Sequence, residues 1–135
     1  FAQAYEQRIM ALDKAFAVRG FPVIAINPNS SEEYKEDAFE RMQERALEKN
    51  YSFPYLHDEH GKIAQLFGIT RIPQAIILQR KAEKYTLRYS GAIDDNTQDA
   101  AGVGVSYLKE NIERLLSNKP LLEEQTRPAG CAVRY

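Results

Sequence analysis

The sequence predicts an α/β domain, a three-layer sandwich with a mixed central sheet flanked by helices. Three observations lead there. Two short, β-branched runs, the continuously apolar residues 22–26 and residues 74–78, read as strands covered on both faces. Apolar residues at helical spacing fall around and between them. A third stretch, Tyr85 to Ser90, alternates with period two, as a half-buried antiparallel strand does. Long helical crossovers between the two covered strands argue for a parallel pair with right-handed connections, to which the alternating strand adds an antiparallel edge.

The elements follow in order. Tyr5, Ile9, Leu12 and Phe16 stand at i, i+4, i+7 and i+11 and give a first helix one apolar face, with Glu6, Gln7, Asp13 and Lys14 turned to solvent. Gly20 is placed to end it, and Pro22 opposes its continuation. No residue near Phe1 makes a convincing cap, which predicts a helix that begins further upstream. After the strand at 22–26, Asn27 to Ser31 form a loop in which Ser30 or Ser31 caps a second helix over about 32–48. Phe39, Met42, Ala46 and Leu47 are its core candidates. Tyr51 to Leu56 is a short extended stretch broken by Pro54, and a turn follows at Asp58-Glu-His-Gly61. Ile63, Ala64, Leu66 and Phe67 make a brief helix that Gly68 ends. Past the strand at 74–78, residues 79–84 read as a solvated turn and 91–104 as a loop. Val105, Leu108, Ile112 and Leu115, at i, i+3, i+7 and i+10, mark the last helix. Pro120, Pro128 and Gly130 predict an irregular tail, so the domain is read as residues 1–117 and the tail as 118–135.

At 135 residues the chain is long enough to bury one core, and its 44% hydrophobic and 27% charged residues are those of an ordinary globular protein. A net charge of −1 gives no electrostatic reason to expect nucleic acid or an anionic membrane as partner. The tyrosines lack the interleaved basic residues of a nucleic-acid platform. No apolar run approaches the roughly 18 residues of a membrane span. His57 and His60 flank Asp58 and Glu59 with no third placed ligand, which fits a polar turn better than zinc, so no metal is predicted. Asn27, Asp94 and Asp95 sit at strand ends, where sites in α/β sheets gather, although turn formation accounts for them equally well. Cys131 is the only cysteine, and a lone thiol cannot form an intrachain disulfide.

The segment Ala64-Gln-Leu-Phe-Gly68-Ile-Thr-Arg-Ile-Pro73-Gln-Ala-Ile-Ile-Leu78 resembles the thioredoxin superfamily, in which a short helix ends in aromatic-Gly-Val/Ile and a proline precedes a buried strand. Gly20-Phe-Pro-Val-Ile-Ala-Ile-Asn27, Phe53-Pro-Tyr-Leu-His-Asp58 and Arg88-Tyr-Ser-Gly91-Ala-Ile-Asp-Asp95 resemble its peroxiredoxin-like, AhpC/TSA-redoxin branch. Thr126-Arg-Pro-Ala-Gly-Cys131 is similar to the ending of a redoxin subgroup with an extra C-terminal cysteine. The resemblance spans nearly the whole chain.

It implies a thioredoxin-like fold with a cis Ile72–Pro73 bond, whose turn exposes backbone groups of Ile72 to an extended substrate segment. Pro73, with fixed φ and no N–H, keeps that edge rigid; the simpler alternative is a proline that merely opens a strand. Arg71 beside it would steer acidic substrates or be a plain surface arginine. In that family the loop faces a Cys-x-x-Cys pair at the N-terminus of the first long helix, where the helix dipole stabilises a thiolate. The matching helix here is the one carrying Tyr5, so the catalytic thiol and the strand preceding it are expected upstream of Phe1, in a longer protein. Cys131 is a candidate redox thiol on the tail.

The resulting expectation is a thiol–disulfide oxidoreductase or thiol-dependent peroxidase-like enzyme with an antioxidant role. Its partners would be a disulfide-containing protein or a peroxide as substrate and a dithiol protein as reductant, with no cofactor. The chain from Phe1 on would be inactive alone. The alternative is a redox-inactive module that binds extended peptides on the same loop. Compartment is left open, the cytoplasm being the default.

Overall fold

A computed structural model describes residues 2–29, 38–128 and 130–133. The cap at Ser30 or Ser31 and residues 32–37 of the second helix lie outside the described residues. The chain groups into two compact units, residues 6–70 with 132–135 and residues 1–5 with 71–131.

In the first unit, α1 spans Glu6–Phe16 and is prolonged by a 3-10 turn at Ala17–Arg19. Gly20 closes it with φ 95°, and its N–H donates to the Ala17 carbonyl at 3.1 Å. That left-handed conformation is open to glycine without the penalty a Cβ would bring. Strand β1 (Ala25–Asn27) runs parallel to β2 (Tyr55–His57), with Ala25 opposite Tyr55 and Asn27 opposite His57. Helix α2 (Phe39–Glu48) packs on β2, and α3 covers Lys62–Leu66. The core of this unit is Leu12, Phe16, Met42, Phe53, Ala64 and Ile69. Tyr51 stacks on Phe53 with ring centroids 5.0 Å apart and meets Tyr55 edge-on at 5.5 Å.

Several sequence expectations change in this unit. Met42 is buried, but Phe39 and Leu47 are exposed. Leu47 stands five positions from Met42, far round the helix from the inward face. Ile24 and Ile26 are exposed as well, so the strand read as covered on both faces is not. The parallel neighbour of β1 is β2, a strand of three residues too short and too interrupted by Pro54 for its pattern to be read. Asp13 and Glu6, read as solvent-facing, are not. The Asp13 carboxylate is buried on α1 and accepts from the Val23 N–H at 3.0 Å and the Ser52 hydroxyl at 2.8 Å. Glu6 Oε1 accepts from Arg45 at 2.8 Å and from the Tyr51 hydroxyl at 3.0 Å. Burial, then the hydrogen bond to Glu6, push the Tyr51 phenol well above its ordinary range.

Asp13 therefore holds together three segments that are distant in sequence. Asp13→Ala leaves a backbone donor and a hydroxyl without their acceptor, and should lower the unfolding free energy by about 2 kcal/mol. Urea unfolding of the variant measures this; a loss below about 0.5 kcal/mol, the range of an ordinary surface change, would contradict it.

In the second unit, β3 (Arg71–Ile72) leads into β4 (Ala75–Lys81), which forms an antiparallel hairpin with β5 (Lys84–Gly91). Ala75 lies opposite Gly91 and Lys81 opposite Lys84, with a bulge between Ile77 and Leu78. The expected solvated turn at 79–84 is largely strand: the turn itself is Ala82 and Glu83, with Ala82 at φ 55°. Charged residues hid the strand because both faces of the hairpin tip are exposed, which removes the apolar alternation. Helix α4 (Tyr107–Leu116) packs on β4. Tyr5, Ala75, Ile77, Tyr89, Ile93, Ile112 and Leu115 form the core.

The tail carries little regular structure, but it is fixed. The buried Asn111 side chain on α4 donates to the Glu123 carbonyl at 2.8 Å and accepts from the Leu122 N–H at 2.9 Å. Gln125 makes a parallel bridge to Ser90 on β5, and the Thr126 N–H donates to the Ser90 carbonyl at 3.1 Å. A Cβ on Gly91 would lie 2.6 Å from the Thr126 carbonyl oxygen, so only glycine lets the tail approach here. The tail ends in β6 (Cys131–Ala132), which pairs with β3.

Candidate functional site

Arg71, Ile72 and Pro73 form one continuous edge. The Ile72–Pro73 peptide bond is cis. Beyond Pro73, the Gln74 amide donates to the Ser90 hydroxyl at 2.9 Å, tying the segment to β5 before β4 begins. Arg71 is exposed, and Ile72 and Pro73 are half-buried. The Arg71 guanidinium donates to the Gly130 carbonyl at 3.0 Å.

Cys131, which the sequence places on a separate tail, lies on this same edge through the β3–β6 pairing. Its thiol is free and exposed. Sequence reasoning missed Gly130: a Cβ there would sit 2.1 Å from the Ile72 carbonyl oxygen and 3.1 Å from the Pro73 nitrogen. The signal that could have found it is a glycine directly before the only cysteine. Chemically, the edge offers an extended backbone, one fixed cation and a thiol open to exchange or alkylation.

The other candidates serve the fold. Asn27 Oδ1 accepts from the Asn29 N–H at 3.0 Å. Asp94 accepts from the Tyr5 hydroxyl at 2.9 Å and the Asn96 N–H at 3.0 Å. Asp95 accepts from the Gly104 and Val105 N–H groups at 2.8 and 3.0 Å, shaping the loop into α4. His57 Nε2 lies 3.3 Å from the Asn29 carbonyl, and His60 is exposed at φ 67°. Between them, buried Asp58 caps α3 by accepting from the Ile63 and Ala64 N–H groups at 3.1 and 2.9 Å. Among the described residues no group of three or more His, Cys, Asp or Glu could hold a metal ion, and no helix is long and apolar enough to cross a membrane.

A parallel β-α-β unit and an antiparallel hairpin entered through Arg71–Pro73 define a protein of thioredoxin-like fold. The AhpC/TSA family profile matches residues 2–98, well over half of the chain, and the chain belongs to that family. At family level this makes it a redoxin-type protein of the thiol oxidoreductase and peroxidase-like group. It is similar to an uncharacterized conserved protein from Geobacillus kaustophilus, with 28% identity and a TM-score of 0.87 over 100% of this chain and 70% of that one. It is also similar to a hypothetical protein from Sinorhizobium meliloti 1021, with 25% identity and a TM-score of 0.83 over 100% of this chain and 73% of that one. No curated protein matches it.

Proposed function

We propose that the complete gene product is a thiol–disulfide oxidoreductase or thiol-dependent peroxidase whose catalytic thiol lies upstream of Phe1, with Arg71, Ile72 and Pro73 orienting the substrate. The observation that carries this reading is the AhpC/TSA match across residues 2–98 in a chain whose single cysteine is Cys131. Family chemistry needs a thiolate at the start of the first long helix, where free N–H groups lower a thiol's pKa. With a disulfide substrate, the thiolate attacks one sulfur, a mixed disulfide forms, and the expelled thiolate takes up a proton. With a hydroperoxide, an S–O bond forms as O–O breaks, leaving a sulfenic acid and an alcohol or water. A dithiol protein supplies the two electrons that restore the thiol. Cys131, exposed on the substrate edge, is a candidate to resolve either intermediate.

A specific observation also favours the peptide-binding reading: β3 already holds an extended segment, β6. One experiment separates the two. The complete gene product is assayed for hydroperoxide consumption with a dithiol reductant and for insulin reduction, beside a variant with serine at each upstream cysteine and beside the chain from Phe1 on. The enzyme reading expects turnover in the first and a loss on the order of 10³-fold or more in both others. Equal turnover in all three would place the chemistry elsewhere. Absence of turnover in the complete product, with peptide binding retained, would leave the binding module.

A further inference from the structure

We propose that the C-terminal segment from Gly130 to Ala132 is a strap that occupies the β3 edge from within the chain and must lift before an extended substrate can pair there. The inference rests on the reading of Arg71–Pro73 as the substrate edge. Three observations carry it. First, β6 pairs with β3 as a strand, which is the way an added peptide would pair. Second, the Arg71 guanidinium on β3 is engaged by the Gly130 carbonyl at 3.0 Å. Third, the Gly130 Cα lies so close to the Ile72 carbonyl that a Cβ would come within 2.1 Å of its oxygen, so the approach exists only because residue 130 has no side chain.

The strap is built to stay near and yet release. Its root is held at more places: Thr126 by half-buried Ser90 and Ala92 on and after β5, and residues 122 and 123 by the fully buried Asn111. Its end is held by exposed groups: Arg71 is at the surface, and Cys131 and Ala132 are exposed. The Val133 N–H adds one bond, to the Thr70 carbonyl at 3.0 Å. A tether of a few residues from a fixed root gives an effective concentration on the order of millimolar, and the strap weakens every peptide that needs the edge by the same factor, set by that concentration over the strap's own dissociation constant.

The test uses the complete gene product and a fluorescein-labelled peptide Pro-Ala-Gly-Ser-Ala-Val, which copies the strap with serine in place of the cysteine so that no disulfide can form. Peptide affinity is measured by anisotropy for the intact protein, for Gly130→Val and for a protein ending at Pro128, with circular dichroism confirming that each is folded. Gly130→Val leaves the root untouched and so covers the case in which the shortened protein fails to fold. Both variants should bind the peptide about tenfold or more tighter than the intact protein, and the Val133 amide should exchange its hydrogen faster in Gly130→Val than in the intact protein. Equal affinities, or no binding by any of the three, would overturn the strap. Turnover is not read in this assay. A protein without oxidoreductase activity whose binding is limited by the strap refutes the proposed function alone, and an active protein with equal affinities refutes the strap alone.

Discussion

Tyr89→Ala should lower the unfolding free energy by about 3–5 kcal/mol, the range for removing a fully buried aromatic side chain. Tyr89 is 0% exposed and lies on β5 at the centre of its unit's core, among Ala75, Ile77, Ile93, Ile112 and Leu115. Its hydroxyl donates to the Ala92 carbonyl at 2.5 Å and pairs with the Thr126 hydroxyl, which in turn accepts from the Ala92 N–H at 2.9 Å. The substitution thus opens a cavity and unties the tail from β5 together. Thermal unfolding should show a midpoint lower by on the order of 10–20 °C. A shift of only a few degrees would mean that the site collapses around the smaller residue.

The same residue has a pH signature. Burial pushes the Tyr89 phenol up to about 12 from its ordinary value of 10.0, with a partly offsetting contribution from the hydrogen bond to Thr126. The folded-state value lies above the unfolded one, so this contribution to stability is complete below pH 10. It is lost as pH rises through about 12, because the unfolded chain ionises first. Tyr89→Phe should flatten the fall of the unfolding midpoint between those pH values. Identical slopes for the two proteins would exclude Tyr89 as a source of alkaline instability.

Asn111→Asp should cost about 2–4 kcal/mol at neutral pH. Asn111 is 0% exposed, and its amide meets residues 122 and 123 as a backbone peptide group would, one donor and one acceptor each way. Aspartate keeps the acceptor for the Leu122 N–H but sets a second oxygen against the Glu123 carbonyl, where only a protonated acid can donate. The folded state therefore holds that proton more tightly than the unfolded chain. The variant should come closest to the parent at low pH and lose stability as pH rises above about 4. Paired unfolding curves at acid and neutral pH, with hydrogen exchange at Leu122 and Thr126, measure both effects. A deficit that does not grow with pH would show that the carboxyl escapes to solvent.

What could be read in the sequence was what neighbouring residues decide among themselves. Leu12 and Phe16 announced the inward face of α1 by spacing, Gly20 and Gly68 announced helix ends, and Ile112 and Leu115 announced the inward face of α4; Tyr5, read on the first helix, instead lies in a 3-10 turn before it and in the other unit's core. The Arg71-Ile-Pro73 segment and the family came from an ordered set of short motifs over most of the chain. The polar positions were misread for a common reason. Glu6 and Asp13 look like surface residues by type, yet each is held by groups 10 to 45 positions away. Residue type records the burial preference of a side chain, not the presence of a donor brought from elsewhere.

By itself, then, the sequence determined the helices, the two apolar strands, the proline segment and membership of a redoxin family, because each depends on periodicity or on motifs a few residues long. Only the tertiary structure decided that β1 takes β2 as its parallel neighbour, that residues 79–81 continue a hairpin, and that the strand carrying Cys131 returns to pair with Arg71–Ile72. The first and the last are pairings between distant segments and the hairpin tip has no buried face to pattern it; all are made by backbone groups that every residue carries alike, so the side chains spell out no address for them.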